Sequence, residues 1–179
     1  MRQPESDASL VALRRLYRSL GEFEKLREVD RIEAESFRPA VRVDWRFGRD
    51  LKLLGYDWRT LGPRRVEITY YWQAMRAMDE NYAAYLRVQN GNLRLQNDHF
   101  PGASHSTRLW LPGEIVKDVR EISIPADAPD ASYQAKLGVW VPGNKRHVRL
   151  GRFGWWGPRT ATLLWLDVDG ETMAVRSAG

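Results

Sequence analysis

The sequence predicts a mainly β protein, an antiparallel β-sandwich of immunoglobulin-like or jelly-roll-like type, preceded by an α-helical segment. Three observations carry this. Beyond Pro39 the apolar residues alternate with polar ones in one short run after another, the pattern of half-buried strands. Turn residues separate nearly all of these runs: Asn90-Gly91-Asn92, Pro142-Gly143-Asn144 and Asp169-Gly170 supply the positive φ angles that hairpins require. Before Pro39 the spacing is helical instead.

At the amino end Asp7 is placed as an N-cap, and Leu10, Leu13, Leu16, Tyr17 and Leu20 follow at helical spacing. Gly21 interrupts, after which Phe23, Leu26, Val29 and Ile32 resume the pattern up to Phe37 and Pro39. Two helices and a tight turn fit best. The segment from Leu16 to Leu26 resembles the junction between the helices of a tetratricopeptide repeat, a unit that cannot bury its own faces as a single copy. The alternatives are a helix or hairpin packed on the sandwich, or a linker from a longer parent. Residues 1–39 are thus expected to form a helical appendage or linker, and residues 40–179 the sandwich.

The expected strands are Val41 to Phe47, Leu51 to Trp58, Val66 to Met75, Tyr82 to Gln89, Leu93 to Gln96, Glu114 to Ile124, Ser132 to Val141, His147 to Phe153, Ala161 to Asp167 and Thr172 to Arg176. Between them, Trp110-Leu111-Pro112-Gly113-Glu114 and the Pro125/Pro129 segment read as turns rather than as parts of a catalytic pocket.

The chain has 179 residues, enough for one sandwich core. No apolar run approaches the roughly 18 residues of a spanning helix, and Met1 to Asp7 lack an apolar signal core. The chain is therefore expected neither to cross a membrane nor to carry its own export signal. The absence of cysteine removes disulfides, thiol nucleophiles and thiolate zinc sites together, without fixing the compartment. With 28 basic and 23 acidic residues the net charge is +5. The bases are spread along the chain and the acids keep pace with them to about Asp130, which argues against nucleic acid as a partner. One segment departs from this balance: Lys145, Arg146, Arg149, Arg152 and Arg159 lie in a stretch with no carboxylate. Such a patch could meet phosphates of nucleic acid or lipid headgroups, and a solvated basic strand is the plainer reading.

Alternation forecasts the ligand-facing side chains. In the third strand Val66, Ile68, Tyr70, Trp72 and Ala74 should face the core, leaving Glu67, Thr69, Tyr71 and Gln73 outside. The outward sets of two later strands are Ala83, Tyr85, Arg87 and Gln89, and Gln134, Lys136, Gly138 and Trp140. If these strands are neighbours, Tyr71, Gln73, Tyr85, Arg87 and Trp140 form one aromatic and polar surface, suited to a sugar because rings pack on pyranose CH groups while amide and guanidinium groups bond hydroxyls. The alternative is that the helical segment or a partner domain covers this face.

Trp72 and Trp165 read as core residues. Trp155-Trp156, flanked by Gly154 and Gly157-Pro158, lie in a turn where both rings cannot be buried; a wedge on another surface, an interfacial membrane contact and a lid over the sandwich are the readings open. Asp98, His99 and His105 offer metal donors, but their spacing follows no established ligand pattern, and satisfied loop histidines are favoured. Asp167-Val168-Asp169-Gly170-Glu171 begins like a calcium loop without its later ligands and is read as a hairpin turn. Glu114, Asp118 and Glu121 cluster without a neighbour that would raise a pKa, and Ser104, His105 and Ser106 lack the glycines of a nucleophile elbow. No catalytic residue, metal site or cofactor is expected.

The order of several segments adds a resemblance. Leu54-Gly55-Tyr56-Asp57, Thr69-Tyr70-Tyr71-Trp72-Gln73-Ala74 with Met78-Asp79 and Tyr82, Gln96-Asn97-Asp98-His99-Phe100-Pro101, Thr107 to Glu114 and the Pro125/Tyr133/Gly138 segment follow one another over Leu51 to Phe153. Together they resemble the soluble β-sandwich domain at the carboxyl end of bacterial polytopic membrane proteins related to dolichyl-phosphate-mannose-protein mannosyltransferases. Two places depart from that pattern: an aromatic-Val-His segment reads Tyr85-Leu86-Arg87, and an aliphatic-Tyr pair reads Val139-Trp140. The resemblance implies a non-catalytic, extracytoplasmic accessory domain beside a membrane-embedded glycosyltransferase, as parent or partner, with a saccharide or lipid-linked sugar as ligand. The transferase's catalytic residues belong to membrane loops outside the matched segments, so none is carried over. A docking module with no small ligand is the competing expectation.

Overall fold

The computed structural model describes residues 5–91, 93–102, 105–152 and 155–178. The residues before Glu5, and Asn92, Ser104, Phe153 and Gly154, lie outside the described residues, as do the side chains of Asp7 and Leu10.

Two helices, α1 (Glu5–Ser19) and α2 (Phe23–Ser36), form the expected hairpin around Gly21, where the Glu22 N–H donates to Tyr17 O at 2.9 Å. α1 begins before Asp7, which therefore lies in its first turn rather than at its cap; acidic residues suit the positive end of the helix dipole at either place.

Ten strands follow, one for each run of alternation: β1 (Val41–Phe47), β2 (Leu51–Gly62), β3 (Arg65–Ala74), β4 (Ala83–Asn90), β5 (Leu93–His99), β6 (Ile115–Ser123), β7 (Ala131–Val141), β8 (Arg146–Val148), β9 (Thr160–Asp169) and β10 (Thr172–Ser177). They form two antiparallel sheets, β1-β2-β3-β6 and β10-β9-β7-β4-β5, the latter carrying β8 on β7. The chain changes sheet between β3 and β4, between β5 and β6 and between β6 and β7.

The inner faces hold the core. Val66, Ile68, Tyr70, Trp72 and Ala74 of β3 are all fully buried, as alternation requires, and face Leu86 and Val88 of β4, Tyr133, Leu137 and Val139 of β7, and Leu164 and Leu166 of β9 within one apolar cluster. Each such aliphatic or aromatic side chain removed from water contributes about 1.5–3 kcal/mol. Trp165 does not belong to this core. Leu164, Leu166 and Val168 take the inner positions of β9, so strict alternation puts Trp165 on the outer face, half-buried, opposite Gln134 and Arg176.

Strand ends differ from the expected ones where turn chemistry was misjudged. β2 and β3 run on to a two-residue turn, Pro63-Arg64, because proline sets the first turn position and Arg64 accepts the left-handed one at φ 54. β5 extends to His99, and the β8 run stops at Val148. In the β7–β8 turn the left-handed residue is Lys145, at φ 54, and not Gly143.

Arg64 repays its unfavourable backbone through its side chain. Nε donates to Gly170 O at 2.8 Å, Nη1 to Pro125 O at 2.9 Å and Ala128 O at 2.8 Å, and Nη2 to Asp130 at 3.0 Å. One guanidinium thus ties the β2–β3 turn to the β6–β7 crossover and the β9–β10 turn. Arg64→Ala is expected to cost about 2 kcal/mol, from the loss of charge-assisted bonds to three carbonyls, of which the one to Ala128 is part-buried, and to Asp130; urea unfolding measures it, and a change within about 0.5 kcal/mol would refute the staple.

Candidate functional site

The five outward residues expected to form one surface are divided between the two sheets. Tyr71 and Gln73 project from β3 in one sheet, whereas Tyr85 and Arg87 on β4 and Trp140 on β7 belong to the other. Alternation assigned each residue correctly to an outer face. The chain crosses between sheets through residues 75–82, however, so the two outer faces look away from each other.

Neither tyrosine is an open platform. Tyr71 is 9% exposed; its hydroxyl donates to Asp57 Oδ2 at 2.5 Å and its ring lies 5.5 Å from that of Phe37, on the segment that enters β1. Asp57 also accepts from the Ala40 N–H at 2.6 Å. Gln73 reaches Gly113 O at 3.5 Å, and Arg14 of α1, itself fully buried, reaches the same carbonyl at 3.4 Å. The helical segment therefore covers this end of the face. Tyr85 is 1% exposed and lies over its cross-strand partner Gly138, where an added Cβ would sit 2.3 Å from the phenol Cζ. The Arg87 guanidinium lies 4.8 Å from the ring centroid, and His147 meets the ring edge-on at 5.5 Å. A ring that fills the space above a glycine rescues the strand, and this use competes with stacking on a sugar. Trp140 is half-buried, and its indole Nε1 and the Nδ1 of neighbouring His147 are buried without a hydrogen-bond partner among the described residues.

The histidines and acids separate into pairs. His99 Nε2 lies 2.8 Å from Asp118 Oδ2, whose other oxygen meets Arg120 at 3.0 Å, between the sheets. Burial, with Asp118 adding to it, pushes the adjacent Tyr70 phenol well above its ordinary pKa. His105 Nε2 lies 2.9 Å from Glu114 Oε1, and Glu114 Oε2 accepts from the Leu111 N–H at 2.7 Å, which closes the Pro112-Gly113 turn. Glu121 is on the outer face with Arg65, and Asp98 accepts from Gln96. Among the described residues no group of three or more such side chains is placed to hold a metal ion. The Asp167 to Glu171 segment is a hairpin turn centred on Gly170-Glu171, with Asp167 bonded to Arg176 and Ser132.

The strongest concentration of chemistry lies at one end of the sandwich, where three distant segments meet. The Gly151 N–H donates to Arg46 O at 2.7 Å and the Gly48 N–H to Gly151 O at 3.1 Å, joining the end of β1 to the segment after β8 by a parallel bridge. Two adjoining concavities share Gly48 and Arg49. One, of ≈ 350 Å³, is lined by Arg46, Arg49, Met75 and Arg152, with no carboxylate in its lining among the described residues. The other, of ≈ 240 Å³, is lined by Arg76, Arg146, Tyr82 and Trp155 around Asp50. Asp50 accepts from Arg76 and Tyr82, and Glu80 pairs with Arg146 at 2.9 Å, so these two guanidinium groups are balanced. Burial and the bond to Asp50 raise the Tyr82 pKa, and the hydroxyl stays protonated as a donor. Sequence reasoning found Arg146, Arg149 and Arg152 as a basic run and missed Arg46, Arg49 and Arg76, which follow no local pattern.

No protein-family model matches the chain, and no curated protein matches it.

Two outcomes test the outer face around Tyr85. Gly138→Ala is expected to destabilise the fold by about 1–3 kcal/mol, since the added methyl must displace a packed ring; equilibrium unfolding reads this, and a neutral result would remove the ring-on-glycine contact from the account. Desolvation, aided by Arg159 and Arg87, lowers the His147 pKa below 6.5. A depressed base is neutral in the fold, so its contribution is full above pH 6.5 and is lost as pH falls through the folded value. Unfolding free energy should therefore decline as pH falls from 6.5 toward 5, above the range where carboxylates titrate, and His147→Gln should flatten that slope.

Proposed function

We propose that this chain is a non-catalytic accessory domain that binds an anionic ligand at its arginine-lined end, with the phosphoryl part of a lipid-linked saccharide as the ligand class. The observation that carries the reading is the concavity with Arg46, Arg49 and Arg152 and no carboxylate in its lining among the described residues. Guanidinium groups bind phosphoryl oxygens through paired, charge-assisted hydrogen bonds, and a partly desolvated cleft strengthens them. Trp155 in the adjoining concavity adds a flat ring of the kind that packs on a sugar. The likeness to the sandwich domains of membrane glycosyltransferases supplies the saccharide and an extracytoplasmic setting. Among the described residues no helix is long and apolar enough to cross a membrane.

A second reading, a docking module, is favoured by one observation. Leu13, Leu16, Leu20, Phe23 and Ile32 on the helical hairpin are 38–63% exposed, while Arg14 and Val29 are buried. Apolar residues turned outward at helical spacing are what a further helix pair would cover.

Inorganic pyrophosphate serves as a soluble probe of the arginine end in calorimetric titration at low salt. Arg46→Ala and Arg152→Ala are each expected to weaken its binding about tenfold or more, since a hydrogen bond to a charged group is worth about 1.5–3 kcal/mol. No heat of binding, or equal affinity in both variants, would sink the reading.

A further inference from the structure

We propose that the arginine-lined end is a membrane-docking face, on which Trp155 and Trp156 enter the interface of an anionic bilayer while the arginines around them meet its phosphate headgroups. The inference takes its arginines from the anionic-ligand reading, and its tryptophans are independent of it.

Of the eight tryptophans only these two are exposed, Trp155 by 62% and Trp156 by 77%. They are adjacent, and the described residues at the base of their turn are bonded to one another. The Leu150 N–H donates to Pro158 O at 2.9 Å and Arg149 Nη1 to Gly157 O at 2.8 Å, closing the base of the turn. Gly157 has φ 100 and a Cβ there would lie 2.2 Å from Leu150 O, so the position accepts only glycine. Gly151, at the start of the turn, is the residue bridged to β1. The fold thus turns two largely exposed indoles outward from a bonded base, an apolar patch of the kind that marks an interaction surface.

Indole favours the boundary between headgroups and acyl chains, because its body is apolar and its N–H is polar. Trp155 lines the same concavity as Arg49, Arg76 and Arg146, the last two paired with Asp50 and Glu80, and Arg152 lines the neighbouring concavity with Arg46 and Arg49, so basic side chains lie beside the Trp155 ring. From Lys145 to Arg159 no carboxylate interrupts the charge. Basic residues around an aromatic wedge are the combination that binds anionic lipid surfaces. A single-stranded nucleic acid would favour rings spaced along a groove, whereas these two are neighbours in one turn, beside a concavity that also holds Asp50.

The test uses the full chain with vesicles of phosphatidylglycerol and phosphatidylcholine, vesicles of phosphatidylcholine alone, and inorganic pyrophosphate. The protein is expected to co-sediment with the anionic vesicles at low salt and not with the neutral ones. Its tryptophan emission should be quenched by acyl chains brominated near the headgroup. Trp155→Ala/Trp156→Ala should lose at least about tenfold in vesicle partitioning and most of the quenching, yet keep its circular dichroism, and Trp156→Ala alone, at a residue that lines neither concavity, should weaken partitioning while keeping its pyrophosphate affinity. Arg152→Ala should lose about fivefold in partitioning, the weight of one charge at an anionic surface, together with pyrophosphate affinity. Wild-type sedimentation by the tryptophan variant, absence of quenching, or equal binding to both vesicle types would overturn the proposal. So would tight binding of a single-stranded oligonucleotide without sedimentation on vesicles. Loss of pyrophosphate binding alone would overturn the cleft reading and leave the docking face standing.

Discussion

The sandwich depends on the aromatic interior of one strand. Trp72 and Tyr70 are fully buried at successive inner positions of β3, with Phe47 at the end of β1 packed 5.8 Å from the Trp72 ring. β3 lies between β2 and β6, so its inner face is the middle of its sheet. Rings of this size hold the sheets at a fixed separation and leave no room for a slip in register, because a shift of one residue would turn Tyr71 and Gln73 inward and Tyr70 and Trp72 out. Everything polar is arranged around that constraint. Asp118, His99 and Arg120 enter the space between the sheets as a bonded group beside Tyr70, and Glu114 is enclosed with His105 and a backbone N–H. Buried charges in such places are tolerated because each is paired.

The same interior explains where ligand chemistry is free to gather. The outer faces are used by the protein itself: one is overlaid by Phe37 and Arg14 from the helical segment, and the other is knitted by Tyr85 on Gly138 under Arg87. The end of the sandwich is different. There the bridge between Phe47 and Gly151 draws the exit of β1 against the segment after β8, and Arg46, Arg49 and Arg152 are brought to one concavity. Each arginine alone is an ordinary exposed or half-buried base. Their convergence is a product of closure of the fold.

The sequence by itself determined the secondary structure and the facing of nearly every side chain on it. Alternation over residues 41–177 is enough to write ten strands, since a half-buried strand admits no other apolar spacing, and Gly21 and the Gly-containing turns mark most of the breaks. It failed locally where a turn carries its left-handed residue on an arginine or lysine, as at Arg64 and Lys145, and at Trp165, whose expected place in the core is held by Leu164 and Leu166. What only the tertiary structure decided was which strands share a sheet. Tyr71 and Tyr85 are both outward by period, yet eight residues of crossover put them on opposite outer faces, a fact that no periodicity encodes. Arg46, Arg49 and Arg152 likewise came to line one concavity through a long-range backbone pairing, because contacts between residues far apart in the chain are set by how the sheets pack and not by any local pattern.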